Sequence, residues 1–304
     1  MGKEIKYSFI IPHKNTPVLL QRCIDSIPVR DDIEVIVVDD NSDPYIVDFN
    51  SYPGKERRDV TIVLTKEGKG AGYARNIGLS KATGQWCLFA DADDYYSENL
   101  ISVLDNELND EIDILYFNVF SPYAQITGRV KRVQRFYSIY ASCKEEKLIK
   151  YCIFTPWNKV ISRDMIMHHN LRYDETPIGN DAMFALKASE TAKEIKIILD
   201  KLYCLTDQPD SITFRKRDIN RKIQLLGINL QINSFLEKKG LGSFRIDITS
   251  IHDYIGMIFK DGIKNARKFR KIINQKTSFF KELFLGTVAP IRRRFAYLRY
   301  RRKR

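Results

Sequence analysis

Three aspartates stand within four residues, directly after an apolar run. Residues 86–90 are apolar and are followed by Asp91-Ala92-Asp93-Asp94. A short apolar run is typical of a buried strand, which would place the carboxylates at its carboxyl end. Like charges ~4 Å apart repel by roughly 1 kcal/mol even in bulk water, so a cation is expected between them. Carboxylate oxygens are ligands that suit Mg²⁺ or Mn²⁺. The alternative interpretation is a solvated acidic turn.

The composition is that of an ordinary globular protein. Hydrophobic residues make up 44% of the 304 residues, and no apolar run approaches the ~18 residues that a membrane span needs. The amino terminus lacks the pattern of a secretory signal, so we expect a cytoplasmic protein. The five cysteines are scattered without a C-x-x-C pair, which predicts reduced thiols.

The positive charge is concentrated at one end of the chain. The net charge is +12, but the residues after 255 contain 16 Lys and Arg against two acids, a charge of +14. Residues 1–255 therefore carry a charge of −2. The basic balance belongs to the carboxyl-terminal segment and says little about the chemistry of the body.

Apolar runs alternate with helix-like segments over the first part of the chain. Helices are predicted to begin at Pro17 and within residues 66–78, and strands are predicted at 7–11, 34–38, 60–64, 86–90 and 111–119. This order predicts an α/β protein with a doubly wound parallel sheet, in which ligands bind outside the carboxyl ends of the strands. Residues 120–145 lack a clear period, and we predict an antiparallel excursion there.

Two common nucleotide-binding motifs are missing from the expected places. The first strand is followed by Pro12-His13-Lys14-Asn15 and not by the G-x-G-x-x-G of dinucleotide-binding domains. The glycines at 68, 70 and 72 follow the third strand instead, and no G-K-[ST] closes a Gly-rich turn. Dinucleotide-binding and P-loop proteins are therefore disfavoured.

Four sequence blocks together resemble family 2 glycosyltransferases with the GT-A fold. The blocks are Ile10-Ile11-Pro12 with Asn15, the turn from Val37 to Ser42, the segment from Ala74 to Gly78, and Phe89 to Asp94. They occur in the family's order and spacing, and the resemblance covers about residues 5–215. It implies a GT-A fold with a mostly parallel central sheet flanked by helices. It also implies inverting transfer from a nucleotide-diphosphate sugar, with Mg²⁺ or Mn²⁺.

The resemblance implies a donor site made from these blocks. Asp40 would accept a hydrogen bond from the uracil of a UDP-sugar, while Asp39 would cap the next turn. Asp93 would bind the metal, and Asp91 would hold ribose or metal-bound water, with Asp94 as a ligand or a carboxylate behind them. Arg75 would contact phosphate or base, unless it forms a structural salt bridge to the acidic turn. The full donor set is Pro12, His13, Asn15, Asp39, Asp40, Gly72, Arg75, Asp91, Ala92 and Asp93, and the metal ligands in it are Asp93 and Asp91.

An inverting transfer also needs a base that accepts the proton of the acceptor hydroxyl. The resemblance places this base in an acidic pair at the start of a helix, and the matching residues here are Asn180 and Asp181. We predict that Asp181 is the catalytic base; the alternative is that it only caps the helix. Asn180 stands where the resemblance implies an acidic residue, so no like charge beside Asp181 raises the pKa of its carboxyl group. Trp157 and Asn180 are predicted on the acceptor side, where Trp157 would stack on a sugar unless it belongs to the core.

The carboxyl-terminal part of the sequence predicts separate elements. We expect a GT-A catalytic domain at 1–217, a helical appendage at 218–286 and a basic amphipathic tail at 287–304. Within the tail, Ile291, Phe295 and Leu298 fall on one face among arginines. This pattern is typical of a helix at an anionic membrane surface, where each basic residue contributes about 1 kcal/mol. It predicts a peripheral position at the inner face of the cell membrane. The alternatives are a solvated tail or a nucleic-acid contact, and we expect no nucleic acid.

These observations combine into one predicted activity. We expect transfer of a sugar from a UDP-sugar to a hydroxyl of a glycan or lipid-linked acceptor, in surface polysaccharide synthesis. A nucleotidyltransferase of related topology is disfavoured because its Gly-rich, Arg-containing loop is missing after Ile11. A catalytically silent nucleotide-sugar-binding module is disfavoured because Asp91, Asp93 and Asp181 are all present.

Overall fold

The computed structural model describes residues 4–123, 128–206 and 219–289. These residues form two compact units, of which the second holds residues 142–144 and 219–289 and the first holds the rest. The predicted boundary at 217/218 and residues 290–304 of the predicted tail lie outside the described residues. The division into three parts therefore stays a prediction.

The first unit is built on one sheet with helices around it. Its elements in chain order are β1 (Tyr7–His13), α1 (Pro17–Asp25), β2 (Ile33–Asp40), β3 (Val60–Thr65), α2 (Ala71–Lys81), β4 (Trp86–Phe89), β5 (Tyr95–Tyr96), α3 (Leu100–Glu107), β6 (Ile114–Phe120), α4 (Gly128–Cys143), α5 (Lys147–Cys152), β7 (Lys159–Ser162), α6 (Arg163–His168), α7 (Ala182–Thr191) and β8 (Ile195–Cys204).

The strands predicted first are parallel neighbours. The sheet order is β3-β2-β1-β4-β7-β6-β8-β5. β1 lies between β2 and β4 and runs parallel to both, and β2 runs parallel to β3. β1 is wholly buried and β2 nearly so, as expected of parallel strands covered on both faces. The prediction of an α/β protein with a parallel sheet is confirmed for this half.

The other half of the sheet is mixed. β7 lies between β4 and β6 and runs antiparallel to both. β8 is parallel to β6 and antiparallel to the short β5. Two strands of this half therefore run against the others, the short β5 and β7, and β7 follows residue 158 and not residue 120.

Residues 128–143 form helix α4, so the antiparallel excursion predicted for residues 120–145 is wrong. Val130, Val133 and Tyr137 are spaced three and four residues apart and are buried in the core of the first unit. The hydroxyl of Tyr137 donates to the carbonyl of Phe117 at 2.5 Å. The narrow apolar face was hidden in the sequence because basic and polar residues separate its members.

The strand register brings three turns to one edge of the sheet. His13 at the end of β1 is paired with Asp39 near the end of β2, and Ile10 is paired with Phe89 of β4. The turns that follow these strands therefore leave the sheet at the same edge. Helix α2 packs closely beneath them, because a Cβ on Gly78 would lie 2.4 Å from Cγ2 of Ile10.

The second unit is helical. It contains α8 (Ile219–Lys238), a 3₁₀ turn (Gly242–Phe244), α9 (Ile251–Asp261), α10 (Ile263–Asn274) and helical residues 279–289. Its core is formed by Leu226, Leu230, Phe269, Ile273 and Phe279. The described part of this range is thus mainly helical, as expected for the appendage predicted at 218–286. Among the described residues, we find no helix with the length and apolar character needed to cross a bilayer.

Candidate active site

The three aspartates after β4 form a tight carboxylate cluster. Oxygen atoms of Asp91, Asp93 and Asp94 lie within 4.8 Å of one another. The turn is closed by the amide of Asp94, which donates to the carbonyl of Asp91 at 3.0 Å. The cluster thus offers several carboxylate oxygens to one small volume at the carboxyl end of β4.

Neighbouring elements fix the backbone of this turn. The amide of Asp91 donates to the hydroxyl of Tyr203 in β8 at 2.9 Å. The carbonyl of Asp93 accepts from the Arg22 guanidinium at 2.5 Å and from the Thr206 hydroxyl. These bonds hold the main chain of the turn and do not involve the carboxylate of Asp93.

Burial and mutual repulsion both act on the carboxylates of this cluster. Burial, reinforced by the negative charge of Asp91, raises the pKa of Asp93 to about 6, although Arg129 and Arg22 oppose the shift. Burial and the negative charges of Asp93 and Asp91 also raise the pKa of Asp94. One carboxylate oxygen of Asp94 accepts from the amide of Thr206 at 2.7 Å. Crowded carboxylates with an all-oxygen donor set fit a divalent cation such as Mg²⁺ or Mn²⁺.

Arg75 connects this cluster to the loop before α7. Its guanidinium donates to Asp91 at 2.6 Å and to the side-chain oxygen of Asn180 at 3.0 Å. The side chain is buried and lies over the ring of Tyr173, with 5.3 Å between the guanidinium carbon and the ring centroid. The salt bridge to the acidic turn, which was the alternative for Arg75, is therefore present.

Asp40, at the end of β2, retains an unpaired carboxylate oxygen. Its Oδ2 accepts from the amide of Gly70 at 2.9 Å and lies 3.6 Å from Nζ of Lys14. Its Oδ1 is buried, and no hydrogen-bond partner for that atom exists among the described residues. A buried acceptor without a donor is costly unless a ligand supplies one. Asp40 is therefore suited to accept an N–H group.

Asp39 is instead fully used by the fold. Its carboxylate accepts from the amide and hydroxyl of Ser42, both at 2.7 Å, and from the Tyr52 hydroxyl at 2.9 Å. It also lies 2.8 Å from Nδ1 of His13. Burial opposes ionisation, but the bonds from His13, Ser42 and Tyr52 outweigh it and lower the pKa of Asp39 to about 2. The geometry agrees with the prediction that Asp39 caps the turn after β2.

His13 belongs to the same buried network. Its Nε2 accepts from the amide of Thr16 at 3.1 Å, so that nitrogen carries no proton and Nδ1 faces Asp39 as the donor. The imidazole is 2% exposed. Both ring nitrogens are thus occupied by contacts within the fold.

The remaining predicted donor residues shape the backbone at the same edge. Pro12 is paired with Val38 across β1 and β2, and Ala92 is buried inside the carboxylate turn. Asn15 has φ of 57°, donates its amide to Ser42 at 2.9 Å and accepts from the amide of Asp43 at 2.7 Å.

Gly72, also in the predicted donor set, allows a close backbone approach. It lies in the first turn of α2, where an added Cβ would sit 2.1 Å from the carbonyl oxygen of Asp174 and 2.8 Å from Cβ of Asn180. Its lack of a side chain lets the 174–180 segment rest on α2. Asn180 is thereby brought within reach of Arg75.

Asp181 stands at the amino end of α7 as predicted, but its carboxylate does not cap the helix. Within the described chain, no capping hydrogen bond from α7 reaches that side chain. Burial raises the pKa of Asp181; Arg75 and Lys159 act in the opposite direction, and Asp91 adds to the rise. The alternative that Asp181 serves only as a helix cap is not supported by this geometry.

Trp157, predicted on the acceptor side, is a core residue with one polar neighbour. Its ring is 1% exposed and is stacked on Tyr203, with centroids 5.2 Å apart and an interplanar angle of 1°. The guanidinium carbon of Arg129 lies 5.1 Å from the Trp157 centroid. The predicted stacking of Trp157 on a sugar is therefore not supported, and the alternative that it belongs to the core agrees with its burial.

Arg129 and Lys159 were missed by the sequence reasoning. Arg129 lies in the first turn of α4, 3.9 Å from Asp91, and its segment had been assigned to the wrong element. Lys159 is 1% exposed in β7 and donates to the carbonyl of Thr155 at 2.5 Å. Burial lowers the pKa of Lys159 to about 7, against the opposing effect of Asp181. The sequence signal for a buried lysine was the position of Lys159 directly before the apolar residues Val160 and Ile161.

Comparison with known families gives a match over the region that contains this sheet edge. The sequence model described as Glycosyl transferase family 2 matches residues 8–169, which is more than half of the 304 residues. The matched region includes the carboxylate cluster, Asp40 and Arg75. Asp181 lies beyond it.

Two bacterial relatives show the same relationship at low identity. The chain is 25% identical over 215 residues to the uncharacterized glycosyltransferase EpsJ of Bacillus subtilis (strain 168), covering 68% of this chain and 62% of EpsJ. It is 26% identical over 208 residues to poly(ribitol-phosphate) beta-N-acetylglucosaminyltransferase TarS of Staphylococcus aureus (strain Mu50 / ATCC 700699), covering 66% of this chain and 35% of TarS. The alignments thus span less than two thirds of both relatives.

Solved structures share the fold. The structure of S. aureus TarS 1–349 in complex with UDP-GlcNAc matches with a TM-score of 0.58 and 16% identity, covering 90% of this chain and 93% of that one. Mannosyltransferase PcManGT from Pyrobaculum calidifontis, in complex with GDP-Man and Mn²⁺, matches with a TM-score of 0.57 and 16% identity, covering 98% of this chain and 83% of that one.

The family match covers the region that contains the carboxylate cluster, and the structural matches agree with the α/β sheet described above. The fold predicted from the four sequence blocks is confirmed. The chain belongs to glycosyl transferase family 2 and has the GT-A fold.

Proposed function

We propose that this chain transfers a sugar from a UDP-sugar to a hydroxyl of a glycan or lipid-linked acceptor, with inversion at the anomeric carbon. The observation that carries the proposal is the position of Arg75. It bonds to Asp91 of the carboxylate cluster at 2.6 Å and to Asn180, the neighbour of Asp181, at 3.0 Å. A cation-binding turn and a candidate base are thereby fixed to one side chain at one edge of the sheet.

The donor half of the proposal rests on Asp40 and the cluster. The unpaired Oδ1 of Asp40 is suited to accept from the imide N–H of uracil. The TarS structure is a complex with UDP-GlcNAc, which supports a UDP-sugar, whereas the PcManGT structure is a complex with GDP-Man. Asp93 and Asp91 would hold Mg²⁺ or Mn²⁺, with Arg75 fixing the orientation of Asp91. When bound, the cation supplies positive charge to the diphosphate leaving group.

The acceptor half rests on Asp181. Its carboxylate is not occupied by helix capping, and its raised pKa makes it a stronger base than an exposed aspartate. We assign it the removal of the proton from the attacking hydroxyl. Asn180 orients this segment through Arg75, and Arg129, which lies over the buried Trp157, borders the acceptor side.

The biological setting is part of the same proposal. The name of TarS specifies poly(ribitol-phosphate) as what that relative acts on, which supports synthesis of a surface polymer. The basic tail at 287–304 would hold the chain at the anionic inner face of the cell membrane, beside a lipid-linked acceptor. Residues 290–304 of this tail lie outside the described residues.

Calorimetric titration of UDP in the presence of Mn²⁺ tests the donor site. We expect Asp93→Ala to weaken UDP binding by about tenfold or more, because the lost carboxylate would no longer help to hold a cation whose positive charge stabilises the diphosphate. The control Asp110→Ala removes an exposed carboxylate outside the cluster and should bind UDP like the unchanged protein. Equally tight UDP binding without any divalent cation would contradict the assignment.

The donor sugar is identified by a hydrolysis screen across nucleotide sugars with Mn²⁺. Slow hydrolysis does not require the acceptor, so one UDP-sugar should be consumed faster than its GDP counterpart. Release of pyrophosphate from a nucleoside triphosphate, without sugar release, would instead support the nucleotidyltransferase alternative. Binding without hydrolysis or transfer would support the silent binding module.

A further inference from the structure

The second unit exposes a row of large apolar side chains. On α9, Ile251, Ile255 and Phe259 are 48%, 47% and 85% exposed, and their spacing of four residues places them on one side of the helix. Ile263 begins α10 with 55% exposure. We call these four residues the apolar stripe. Exposed apolar residues are ordinary when scattered, but a continuous row marks a contact surface.

The stripe is not left over from an incomplete core. Tyr254 and Met257, on another side of α9, pack against the core of the second unit. The Tyr254 ring lies 4.7 Å from the Phe279 ring, centroid to centroid. The helix is also well ended, because Ser250 and Asp253 form a reciprocal capping box. α9 is therefore anchored by one side while the stripe faces away.

A concentrated positive charge accompanies the stripe. From residue 260 to 281 the chain has eight Lys and Arg and one acid, Asp261. Asp261 is already paired with Lys222 at 2.5 Å. α10 buries Ala266, Phe269 and Ile273, and its exposed basic residues are Lys264, Arg267, Lys268, Arg270 and Lys271.

We propose that the apolar stripe and the exposed lysines of α10 form a docking surface for an anionic lipid bilayer. Large apolar side chains enter the acyl boundary while basic side chains remain among the headgroups, as in interfacial helices. Each basic residue near an anionic surface strengthens the attachment. The surface is additional to the tail contact in the proposed function, and it does not depend on the donor chemistry.

Charge and chemistry favour a bilayer over other partners. Two copies of this chain meeting through the same face would oppose lysines with lysines, which disfavours self-association. A nucleic-acid backbone would pair with the lysines but would leave Ile251, Ile255 and Phe259 without an apolar environment. A bilayer surface satisfies both the charge and the apolar area.

Vesicle co-sedimentation of the full chain tests the proposal. We expect binding to vesicles of phosphatidylcholine with phosphatidylglycerol, and little binding to phosphatidylcholine alone. The double variant Ile255→Ser/Phe259→Ser should bind the anionic vesicles about tenfold more weakly, because both side chains lose their apolar burial. Lys264→Gln/Lys268→Gln should weaken binding and reduce its sensitivity to salt.

Matched controls lie on the first unit. Leu199→Ser removes a side chain that is 47% exposed, and Lys55→Gln/Lys81→Gln removes two exposed charges; both should bind vesicles normally. UDP-sugar hydrolysis should be unchanged in every variant, so a failure of vesicle binding is distinguishable from a failure of the proposed activity. Circular dichroism checks that each variant is folded.

Three outcomes would overturn the proposal. Undiminished vesicle binding by the stripe variants would assign membrane contact to the tail alone. A concentration-dependent dimer that Ile255→Ser/Phe259→Ser abolishes, with vesicle binding intact, would assign the stripe to self-association. Equal affinity for neutral and anionic vesicles would remove the role given to the lysines.

Discussion

Asp39 and Asp40 are adjacent in the chain but have opposite environments. Successive side chains of a strand point to opposite faces of the sheet, so Asp39 reaches His13, Ser42 and Tyr52 while Asp40 does not. Asp39 has no free capacity for a ligand. Asp40 keeps a buried oxygen without a protein donor, and the uracil contact that we propose therefore falls on Asp40.

The proposed base is tested at the residue scale by Asp181→Asn. The amide cannot accept the acceptor proton, so we expect the transfer rate to fall about 10²- to 10⁴-fold. Affinity for UDP with Mn²⁺ should change little, because Asp181 is not assigned to the donor. The exposed Asp200→Asn is the matched control. Transfer at the normal rate by Asp181→Asn would refute its role.

Among the elements, the contact between α2 and the 174–180 segment positions the residues that lead to Asp181. Gly72 lets the two backbones meet, and Asn76 of α2 accepts from the amide of Tyr173 at 2.9 Å. Arg75, which lies about one turn after Gly72 in the same helix, then reaches Asn180. Helix α2 thus links the carboxylate cluster to the loop that carries Asp181.

Two glycine-to-alanine changes in helices should have opposite effects. Gly72→Ala places a methyl group 2.1 Å from the Asp174 carbonyl oxygen, and we expect it to lower the free energy of unfolding by about 1–3 kcal/mol. Gly227→Ala in α8 meets nothing within 4 Å and should raise that free energy by about 0.5–1 kcal/mol. Urea unfolding measures both. An unchanged midpoint for Gly72→Ala would show that the 174–180 segment yields without cost.

For the whole molecule, the Asp39 network predicts the response to acid. The network joins the ends of β1 and β2 to Tyr52, so its loss affects the first unit as a whole. The pKa of Asp39 is about 2 in the folded chain and about 3.9 when unfolded. A depressed folded pKa contributes stability above the unfolded value, and this contribution is lost as the pH falls from about 4 to 2.

Asp39→Asn should therefore remove about 2 kcal/mol of stability at neutral pH. It should also flatten the decline of stability between about pH 4 and 2, which urea unfolding at several pH values can follow. Asp31→Asn, at an exposed ion pair with Arg58, is the control that should leave this decline intact. An equally steep acid decline in Asp39→Asn would show that other carboxylates are responsible.

Much of the sheet edge that carries Asp40 and the carboxylate cluster was determined by the sequence, because the sequence signals for it are local. An apolar run followed by Asp91, Asp93 and Asp94 specifies both a buried strand and the carboxylates at its end. The β-α-β order then requires parallel strands, which bring the turn after Asp40 to the same edge. The fold and the family predicted from these features were confirmed.

The tertiary structure decided what depends on contacts between distant residues. Only packing shows that Arg75 joins Asp91 to Asn180, which lies 105 positions after Arg75 in the chain. Packing also shows that the Asp39 carboxylate contacts His13 and that Trp157 lies under Arg129. The same holds for the apolar stripe, since the sequence predicts an amphipathic α9 but not which of its apolar side chains the core covers. Side-chain partners and burial are set by how elements pack, and the periodicity of one element does not contain that information.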